Sequence, residues 1–506
     1  MNGRYVRVML HSGRPMIKPD HALDIYCMAV GGTGMAPLAC LLQEQGHRVR
    51  GTDGPLYPPM STLLERAGIQ PSVGYDVAHL TPRPDLVVIG NAIRRDNPEA
   101  VEAERLGLSI LSMPQALSRF FLAGRRSLVV AGTHGKTTTT AMAAWVWAAC
   151  GQDPGYLIGG VPRDLPASFH AGTGDRFVIE GDEYNAAYFD RGPKFLHYQP
   201  ETLLLTSVEY DHADLYPSPE AFRAAYAQLL DLLPAGGYVA ACGDTPEVRQ
   251  LAARARCPVL FYGLDPGNDL HPLGEIEARP DASRFRVADP EAGEVEVTLP
   301  LAGEHNVANA LAVWAAARHD GLPVAAVVDA LSRFRGVKRR LEELGTARGV
   351  SVVDDFAHHP TAVDKTLGAL RQRYPGRRLL VLFEPRSLTA GRSMFHDPYR
   401  SAFAQADRVL FAPTFHLGRL AAEERLDFGA LAAELTRAGV PTTLCAETAE
   451  VLDRTLAEAR PGDVVVTMSS GSFEGMPHRV LEGLRAGKPE PRRVAETASA
   501  PQMPAI

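Results

Sequence analysis

The fold is decided by Gly132-Thr133-His134-Gly135-Lys136-Thr137-Thr138. This stretch follows the apolar run 127–131, which we predict to be a buried strand, and precedes 139–150, which we predict to be a helix. A glycine-rich turn between strand and helix directs backbone N–H groups into one concavity, and the helix N-terminus adds partial positive charge. The sequence therefore predicts that all seven residues hold a polyphosphate, with Lys136 on the outer phosphates and the Thr137 hydroxyl on Mg²⁺.

The loop is shorter than the general phosphate-binding motif. That motif reads G-x-x-x-x-G-K-[ST], and here the position of its first glycine is occupied by Val130. A chance Gly-Lys-Thr in an ordinary loop is the alternative. The predicted strand before the loop and helix after it favour the phosphate site, because the mechanism needs both.

The composition is that of an ordinary globular protein. Of 506 residues, 45% are hydrophobic and 22% are charged. Since a domain has roughly 150 residues, the length indicates about three domains. The net charge of −7 argues against a nucleic-acid partner. No apolar run approaches the roughly 20 residues that span a bilayer, and no signal peptide is evident. With six cysteines lacking metal-binding spacing, we expect a cytoplasmic protein without membrane insertion, a monomer or weak homodimer.

The N-terminal region opens with a strand–helix–strand pattern. An apolar run, 23–30, leads into Gly31-Gly32-Thr33-Gly34-Met35, then a helix to about residue 45 and a strand that ends near Asp53. Pro37 stands where the dinucleotide fingerprint has its last glycine, so a nucleotide site and a plain tight turn are both open. A further strand, 85–89, leads into Asn91. We predict a Rossmann-like domain over 22–124.

Two further α/β domains follow in the prediction. Residues 125–335 form a central, P-loop ATPase-like domain that binds ATP, with a β-rich excursion at about 265–300. Residues 336–486 form a C-terminal Rossmann-like domain, and 487–506 a disordered tail. The strands predicted in the C-terminal domain are 351–354, 378–383, 408–412 and 463–468.

Acidic residues follow two predicted strands of the central domain. Glu180-Gly181-Asp182-Glu183-Tyr184 comes at the end of the run 177–180, and Glu209-Tyr210-Asp211-His212 follows the run 202–208. Carboxylates at the edge of a phosphate-binding sheet can hold Mg²⁺. We predict Glu180 or a neighbour, and His212, as metal ligands, with solvated acids and a structural histidine as the alternatives.

Four more polar motifs lie at predicted helix starts, strand ends or a domain boundary. They are Gly303-Glu304-His305-Asn306-Val307-Ala308-Asn309, Gly336-Val337-Lys338-Arg339-Arg340-Leu341-Glu342, Asp354-Asp355-Phe356-Ala357-His358-His359-Pro360 and Glu384-Pro385-Arg386-Ser387. The first can cap a helix or read the polar edge of a base. The second is a solvated charge run or a phosphate clamp. The other two place Asp, His and Arg at strand ends, as active sites do.

These motifs, in this order, resemble those of the Mur ligases, the ATP-dependent amide-forming enzymes of peptidoglycan synthesis. The resemblance covers about 24–485. Within the family it is greatest to the ligase that recycles L-alanyl-γ-D-glutamyl-meso-diaminopimelate by joining it to UDP-N-acetylmuramate. The motif at 354–360 and Phe-Glu-Pro-Arg-Ser at 383–387 favour that member, as does Ile-Glu-x-Asp-Glu-Tyr at 179–184 followed by Phe189-Asp190. The UDP-N-acetylmuramate–L-alanine ligase of peptidoglycan biosynthesis is the alternative.

The resemblance implies a role for each motif. It implies that the UDP part contacts Gly31, Gly32, Gly34, Met35, Asp53 and Asn91. It implies that Thr137 and Glu180 bind one Mg²⁺, and that Glu180 and His212 bind a second. Other substrate contacts would be Glu183, Tyr184 and, for a carboxylate of the tripeptide, Arg386. ATP would contact His305, Asn306, Asn309, Arg340 and Asp354 or Asp355, besides the phosphate loop. The catalytic groups would be Lys136, His212, Arg340 and His358.

The implied reaction proceeds through an acyl phosphate. The carboxylate of UDP-N-acetylmuramate attacks the γ-phosphate of ATP, and the amine of the peptide then displaces phosphate. A folylpolyglutamate synthase-like enzyme is a further alternative, which the glycine-rich N-terminal domain argues against. A non-catalytic nucleotide-binding regulator is another, which Lys136, Thr137, Glu180 and His212 together argue against.

Two features depart from the family pattern. Several members use a carbamylated lysine to hold the second metal, but no lysine occurs between Lys194 and Lys338. We therefore expect a second metal site without that group. Ser470-Gly471-Ser472-Phe473-Glu474 also differs from the more glycine-rich segment of the recycling ligase, so the local contacts to the tripeptide are expected to differ.

Overall fold

The computed structural model describes residues 22–213, 215–415 and 420–487. The chain divides into two compact units, one that ends at Arg340 and one that begins at Leu341. The predicted tail, apart from Gly487, lies outside the described residues. Among the helices of the described part, none combines the length and apolar character that crossing a membrane requires.

The first unit begins with a five-stranded parallel sheet in the order β3-β2-β1-β4-β5. Its strands are β1 Asp24–Met28, β2 Arg48–Asp53, β3 Ser72–Val73, β4 Leu86–Ile89 and β5 Ile110–Ser112. Its helices are α1 Met35–Glu44, α2 Met60–Arg66, α3 Pro98–Arg105 and α4 Met113–Leu117. Every residue of β4 is buried, as expected of a parallel strand covered on both faces. The predicted Rossmann-like arrangement is confirmed.

A seven-stranded sheet follows, in the order β12-β11-β10-β6-β9-β7-β8. Its strands are β6 Arg126–Ala131, β7 Gly155–Leu157, β8 Phe169–His170, β9 Arg176–Gly181, β10 Thr202–Leu205, β11 Tyr238–Cys242 and β12 Val259–Tyr262. The helices are α5 Lys136–Ala149, α6 Pro219–Asp231, α7 Pro246–Ala252, α8 Glu304–His319 and α9 Val324–Ser332. The sheet is parallel except for β8. A three-stranded antiparallel sheet, β13 Glu277–Ala278, β14 Ser283–Asp289 and β15 Gly293–Leu299, forms the predicted β-rich excursion.

One continuous apolar core joins the first two sheets. It contains Ile25 and Val88 from the first sheet together with Val129 and Leu203 from the second. The rings of Phe121 and Phe177 approach with centroids 6.4 Å apart where the two sheets meet. The two sheets therefore share one hydrophobic interior.

The second unit is built on a six-stranded sheet in the order β16-β17-β21-β18-β19-β20. Its strands are β16 Glu342–Ala347, β17 Val350–Asp355, β18 Leu379–Phe383, β19 Arg408–Phe411, β20 Thr442–Leu444 and β21 Val464–Met468. The helices are α10 Pro360–Arg373, α11 His396–Phe403, α12 Phe428–Arg437, α13 Thr448–Glu458 and α14 Met476–Ala486. Only the edge strand β16 runs antiparallel. The four predicted strands are observed, and β16 and β20 add the two edges.

Register brings the polar strand ends together. At the carboxyl edge of the second sheet, Ala131 of β6 pairs with Leu205 of β10 and with Gly181 of β9. In the second unit, Met468 of β21 pairs with both Phe383 and Asp355. Because ligands bind beyond the carboxyl ends of parallel strands, these two edges are where a site is expected.

Candidate functional site

The phosphate loop needs glycine at both of its glycine positions. Gly132 and Gly135 have φ of 139° and 81°, which lie in the region that side chains disfavour. A Cβ on Gly132 would lie 2.2 Å from Thr206 Oγ1, and one on Gly135 would lie 2.7 Å from Asn309 Oδ1. The shortened motif therefore keeps glycine where conformation and space demand it.

Residues after β10 hold the loop in place. The backbone N–H of Thr133 donates to Ser207 O at 2.9 Å, and that of His134 donates to Ser207 Oγ at 3.0 Å. Thr133 Oγ1 donates to Glu209 O and accepts from Glu209 N, both at 2.8 Å. Sequence analysis did not assign these contacts to Ser207 and Glu209. Their position after a strand of the same sheet was the available signal.

Lys136 begins α5 and folds back over its own loop. Its Nζ donates to Gly132 O at 2.5 Å and to Glu183 Oε1 at 3.0 Å. The Lys136 side chain is 12% exposed and that of Glu183 fully buried. Burial alone would lower the pKa of Lys136, but the carboxylates of Glu183 and Glu180 outweigh it and raise that pKa. The ammonium group therefore stays charged at the loop where the sequence predicts phosphate binding.

Glu183 joins Lys136 to His212. His212 Nε2 lies 3.0 Å from Glu183 Oε1, and the Tyr216 hydroxyl donates to the Glu183 carbonyl at 2.7 Å. Burial would raise the pKa of Glu183, but Lys136 and His212 lower it. Burial would lower the pKa of His212, but Glu183 and Asp211 raise it. The resemblance implied that Glu183 contacts substrate, and no local sequence pattern indicated its link to Lys136 and His212.

Glu180 faces the start of α5 from the end of β9. Its Oε1 accepts from Thr137 Oγ1 at 3.0 Å, and its Oε2 accepts from the Gly159 N–H at 2.9 Å. Burial raises the pKa of Glu180, against the opposing effect of Lys136. Arg340 Nη2 donates to Thr137 Oγ1 at 3.4 Å. A carboxylate and a hydroxyl this close are oxygen ligands of the kind that Mg²⁺ prefers.

The predicted pairing of His212 with Glu180 in one ion site stays a prediction. In the structure His212 lies 3.0 Å from Glu183 and 3.7 Å from Asp211, whereas Glu180 accepts hydrogen bonds from Thr137 and Gly159. The ring of Tyr184, 41% exposed, packs against the His212 ring with centroids 4.4 Å apart. Tyr184 therefore lies at the open side of this group.

The start of α8 lies beside the phosphate loop. Asn306 Nδ2 donates to Ala302 O at 2.8 Å, and Asn309 Nδ2 donates to Asn306 Oδ1 at 3.4 Å. Asn309 is buried and borders Gly135, while His305 is half-buried in the first helical turn. The Asn306 amide donates to a carbonyl and caps no N–H group of α8, and base recognition by these three residues stays a prediction.

The glycine loop of the first sheet is organised by Asp53. The backbone N–H groups of Gly31 and Gly54 each donate to a carboxylate oxygen of Asp53 at 2.7 Å. Asn91 is exposed at the end of β4. A Cβ on Gly34 would lie 2.5 Å from Met113 Cε, and the Met35 side chain is 4% exposed. Contact of Met35 with a UDP group stays a prediction. Gly32 donates its N–H to Ala29 O at 3.2 Å.

Asp354 and Asp355 end β17 in the second unit, and both are buried. Asp354 Oδ1 accepts from Thr467 Oγ1 at 2.9 Å. Asp355 Oδ2 accepts from the Leu341 N–H at 2.7 Å, and its Oδ1 accepts from the Ala357 N–H at 2.8 Å. Asp355 therefore ties the first residue of this unit to the strand end.

His358 and Arg386 lie at the same edge of that sheet. His358 Nδ1 lies 3.1 Å from the Phe356 carbonyl oxygen. The Arg386 guanidinium lies 3.4 Å from Glu384 Oε1 and over the Phe415 ring, with its Cζ 4.2 Å from the ring centroid. Roles for His358 and Arg386 in a reaction stay predictions.

Three family models match successive parts of the chain. They are the Mur ligase family catalytic domain over residues 24–125, the Mur ligase middle domain over 130–317 and the Mur ligase glutamate ligase domain over 339–471. Together they cover nearly all of the described residues.

Relatives match over almost their whole lengths. The chain is 39% identical over 468 residues to the UDP-N-acetylmuramate–L-alanyl-γ-D-glutamyl-meso-2,6-diaminoheptandioate ligase of Escherichia coli K12, covering 91% of this chain and 98% of the relative. It is 34% identical to the UDP-N-acetylmuramate–L-alanine ligase of Burkholderia multivorans, and the match covers 90% of this chain and 97% of that relative. A crystal structure of a murein peptide ligase from Psychrobacter arcticus is similar, with a TM-score of 0.69 and 34% sequence identity. The match covers 92% of this chain and 99% of the chain in that structure.

These matches settle the question that the motifs raised. The models follow one another in the order of the three predicted α/β domains, and the relatives extend across all of them. The phosphate loop, the acidic strand ends and the Asp-Asp-Phe-Ala-His-His-Pro motif thus belong to one inherited architecture, and the resemblance is confirmed: the chain belongs to the Mur ligase family.

Proposed function

We propose that this protein is an ATP-dependent ligase of peptidoglycan recycling that forms an amide and releases ADP and phosphate. It joins the carboxylate of UDP-N-acetylmuramate to the amine of L-alanyl-γ-D-glutamyl-meso-diaminopimelate. The observation that carries the proposal is the buried group Lys136–Glu183–His212 behind an intact phosphate loop. The acceptor follows from the named activity of the Escherichia coli relative.

The chemistry requires activation of a carboxylate. A carboxylate is a poor acylating agent, so the UDP-N-acetylmuramate carboxylate attacks the γ-phosphate of ATP and expels ADP. The peptide amine attacks the resulting acyl phosphate, and phosphate leaves from the tetrahedral intermediate. The main demand on the protein is stabilisation of charge on the transferring phosphoryl group. Lys136 meets it, since Glu183 holds its ammonium group charged above the loop.

We assign a metal to the same group. Mg²⁺ held by the Thr137 hydroxyl and the Glu180 carboxylate would neutralise phosphate charge. His212 is proposed as a ligand of a second ion. Arg340, which reaches Thr137 at 3.4 Å, is proposed to contact phosphates from the end of the first unit.

The remaining assignments extend the proposal to the whole chain. We assign UDP to the glycine loop and Asp53 of domain 22–124, ATP to domain 125–335, and the peptide acceptor to domain 336–486. The family models over 24–125, 130–317 and 339–471 support this division. We place the enzyme in the cytoplasm, where ATP and UDP-sugars are found and where thiols stay reduced; all six cysteines are free.

Addition of L-alanine is the competing activity. L-alanine ligases match this chain at 33–39% identity, but the match at 39% covers only 76% of the chain, whereas the tripeptide ligase reaches 39% over 91% of it, so the alternative is not favoured. The difference between the two lies in the size and charge of the acceptor, which only a substrate comparison separates.

The test is phosphate release by the purified protein with Mg²⁺-ATP and UDP-N-acetylmuramate, with the tripeptide or L-alanine as acceptor. We expect turnover with the tripeptide and little with L-alanine. The reverse preference would make it an alanine-adding enzyme. Absence of phosphate release with both acceptors would contradict a ligase activity.

A further inference from the structure

Two neighbouring strands place a carboxylate against a hydroxyl at the edge of the six-stranded sheet. Phe383 of β18 pairs in parallel register with Met468 of β21. The next residues, Glu384 and Ser469, therefore meet, and Ser469 Oγ donates a hydrogen bond to Glu384 Oε2. Glu384 is 4% exposed and Ser469 1% exposed. A buried carboxylate is costly unless it is paired, so its second oxygen needs a cation.

Arg386 supplies that cation and is held on two sides. Its Nη1 donates to Glu384 Oε1 at 3.4 Å. The Phe415 ring covers the guanidinium, with Cζ 4.2 Å from the ring centroid, which is the geometry of a cation–π contact. Among the described residues, Glu384 is the only hydrogen-bond acceptor of this guanidinium. Most of its N–H donors therefore make no hydrogen bond to a described residue, and the side chain is 29% exposed.

Gly471 provides the space that the arginine occupies. A Cβ on this residue would lie 2.1 Å from both Cδ and Nε of Arg386. Its backbone N–H donates to Ser469 Oγ at 2.9 Å, so the glycine is fixed by the same hydroxyl that bonds Glu384. The requirement for glycine is thus one of space beside Arg386.

We propose that Glu384 and Gly471 are positioning residues that fix Arg386 as a receptor for a carboxylate of the peptide acceptor. The proposal rests on the proposed function, because it takes the acceptor to be a peptide with carboxylates remote from its reacting amine. A guanidinium pairs with a carboxylate through two parallel N–H···O bonds when its plane is fixed. Glu384 and Phe415 fix that plane before the acceptor binds. Gly471, which has no side chain, leaves space for Cδ and Nε of Arg386.

Loss of this positioning has a defined kinetic signature. A mobile Arg386 must be ordered when the acceptor binds, so the cost falls on acceptor binding and not on activation of the sugar carboxylate. We expect Glu384→Gln and Gly471→Ala each to raise the KM for the tripeptide about tenfold, the loss expected for one charge-assisted hydrogen bond. The KM values for ATP and UDP-N-acetylmuramate, and kcat at saturating tripeptide, stay within about twofold.

Matched controls come from the same unit. Glu458 pairs with Arg408 at 2.7 and 3.0 Å away from this group, so Glu458→Gln removes an equivalent partner of an arginine. Gly368 lies in α10, where an added Cβ would meet only Gln405 Oε1 at 3.6 Å, so Gly368→Ala adds the same methyl group harmlessly. Both controls should keep the wild-type KM for the tripeptide. Arg386→Lys, which retains charge but not the planar fork, should reproduce the effect of Glu384→Gln.

The experiment compares steady-state kinetics of these variants, each checked for a wild-type unfolding curve. The tripeptide and the dipeptide L-alanyl-γ-D-glutamate serve as acceptors. A rise in KM for the tripeptide alone assigns Arg386 to a carboxylate of the third residue, and a rise for both assigns it to the second. Unchanged KM values in the folded variants, or equal rises for all three substrates, overturn the inference alone. Absence of tripeptide turnover in the wild-type protein overturns the proposed function and this inference together.

Discussion

Replacing Glu183 with glutamine should destabilise this protein more than any comparable change at its phosphate loop. The Glu183 carboxylate is fully buried and lies 3.0 Å from both Lys136 Nζ and His212 Nε2. Those two side chains are only 12% and 13% exposed. Glu183→Gln keeps the shape of the side chain and leaves two buried cations without their counter-charge.

The magnitude follows from that burial. Removing one partner of a buried ion pair costs about 3–5 kcal/mol, because the remaining charge is left uncompensated. Asp182→Asn is the matched control: Asp182 also lies 3.0 Å from a lysine, Lys194, but is 26% exposed. Lys194 is as buried as Lys136, but the Asp182 carboxylate is partly open to water, which screens this pair and lowers the cost of breaking it. We expect Glu183→Gln to lower the free energy of unfolding by about 1–3 kcal/mol more than Asp182→Asn.

The effect should also depend on pH. Folding raises the pKa of His212, so its pairing with Glu183 stabilises the protein fully below the unfolded value of about 6.5 and is lost as pH rises through the folded pKa. The difference in the free energy of unfolding between wild type and Glu183→Gln should therefore become smaller from about pH 6 to pH 9. The part of this difference that comes from the Lys136–Glu183 pair should persist at both pH values. Urea unfolding at both pH values measures this gap. A gap equal to that of Asp182→Asn, or one that widens with pH, would refute the reasoning.

Three further substitutions test other parts of the structure. Lys136→Ala should abolish phosphate release while calorimetry still shows binding of UDP-N-acetylmuramate; loss of sugar binding would contradict separate nucleotide and sugar sites. Gly135→Ala should weaken ATP binding at least about tenfold because of its left-handed φ of 81° and the blocked Cβ position, whereas Gly236→Ala, with open space around it, should not. Asp289→Asn should cost about 3 kcal/mol at pH 7, because this fully buried carboxylate pairs with Arg318 at 2.7 Å. Burial would raise the pKa of Asp289, but Arg318 and backbone N–H groups lower it. The stability lost in Asp289→Asn should therefore become smaller as pH falls below about 4 and through the folded pKa, and a loss that does not change with pH would contradict this assignment.

Local patterns predicted the elements that carry the site. The apolar run before Gly132 is β6, and the strand ends at Glu180 and in the C-terminal region lie where the sequence placed them. These elements are predictable because a buried parallel strand is a short apolar run bounded by turn residues. Helix α5 begins at Lys136, three positions before the predicted start, since glycine at 135 ends the loop in a left-handed conformation and burial overrides the low helix propensity of four threonines.

Contacts between side chains of different strands were not predictable from the sequence. The link from Lys136 through Glu183 to His212 depends on the register of β6, β9 and β10, which no local pattern encodes. The approach of Asn309 to Gly135 depends on where α8 packs, and 174 residues separate the two positions. The edge strands β16 and β20 escaped prediction because exposed edges lack the continuous apolar run of a central strand.

The apolar core shared by the first two sheets couples the unfolding of one sheet to that of the other. Because Val88 and Val129 belong to one apolar cluster, opening either sheet would expose the interior of the other, so the first unit should melt in a single cooperative transition. A fragment that starts at residue 125 would present a bare apolar face and aggregate. Ligand binding at either sheet should raise the melting temperature of both by mass action. A ligand that binds only the first sheet would therefore also stabilise the second sheet against unfolding.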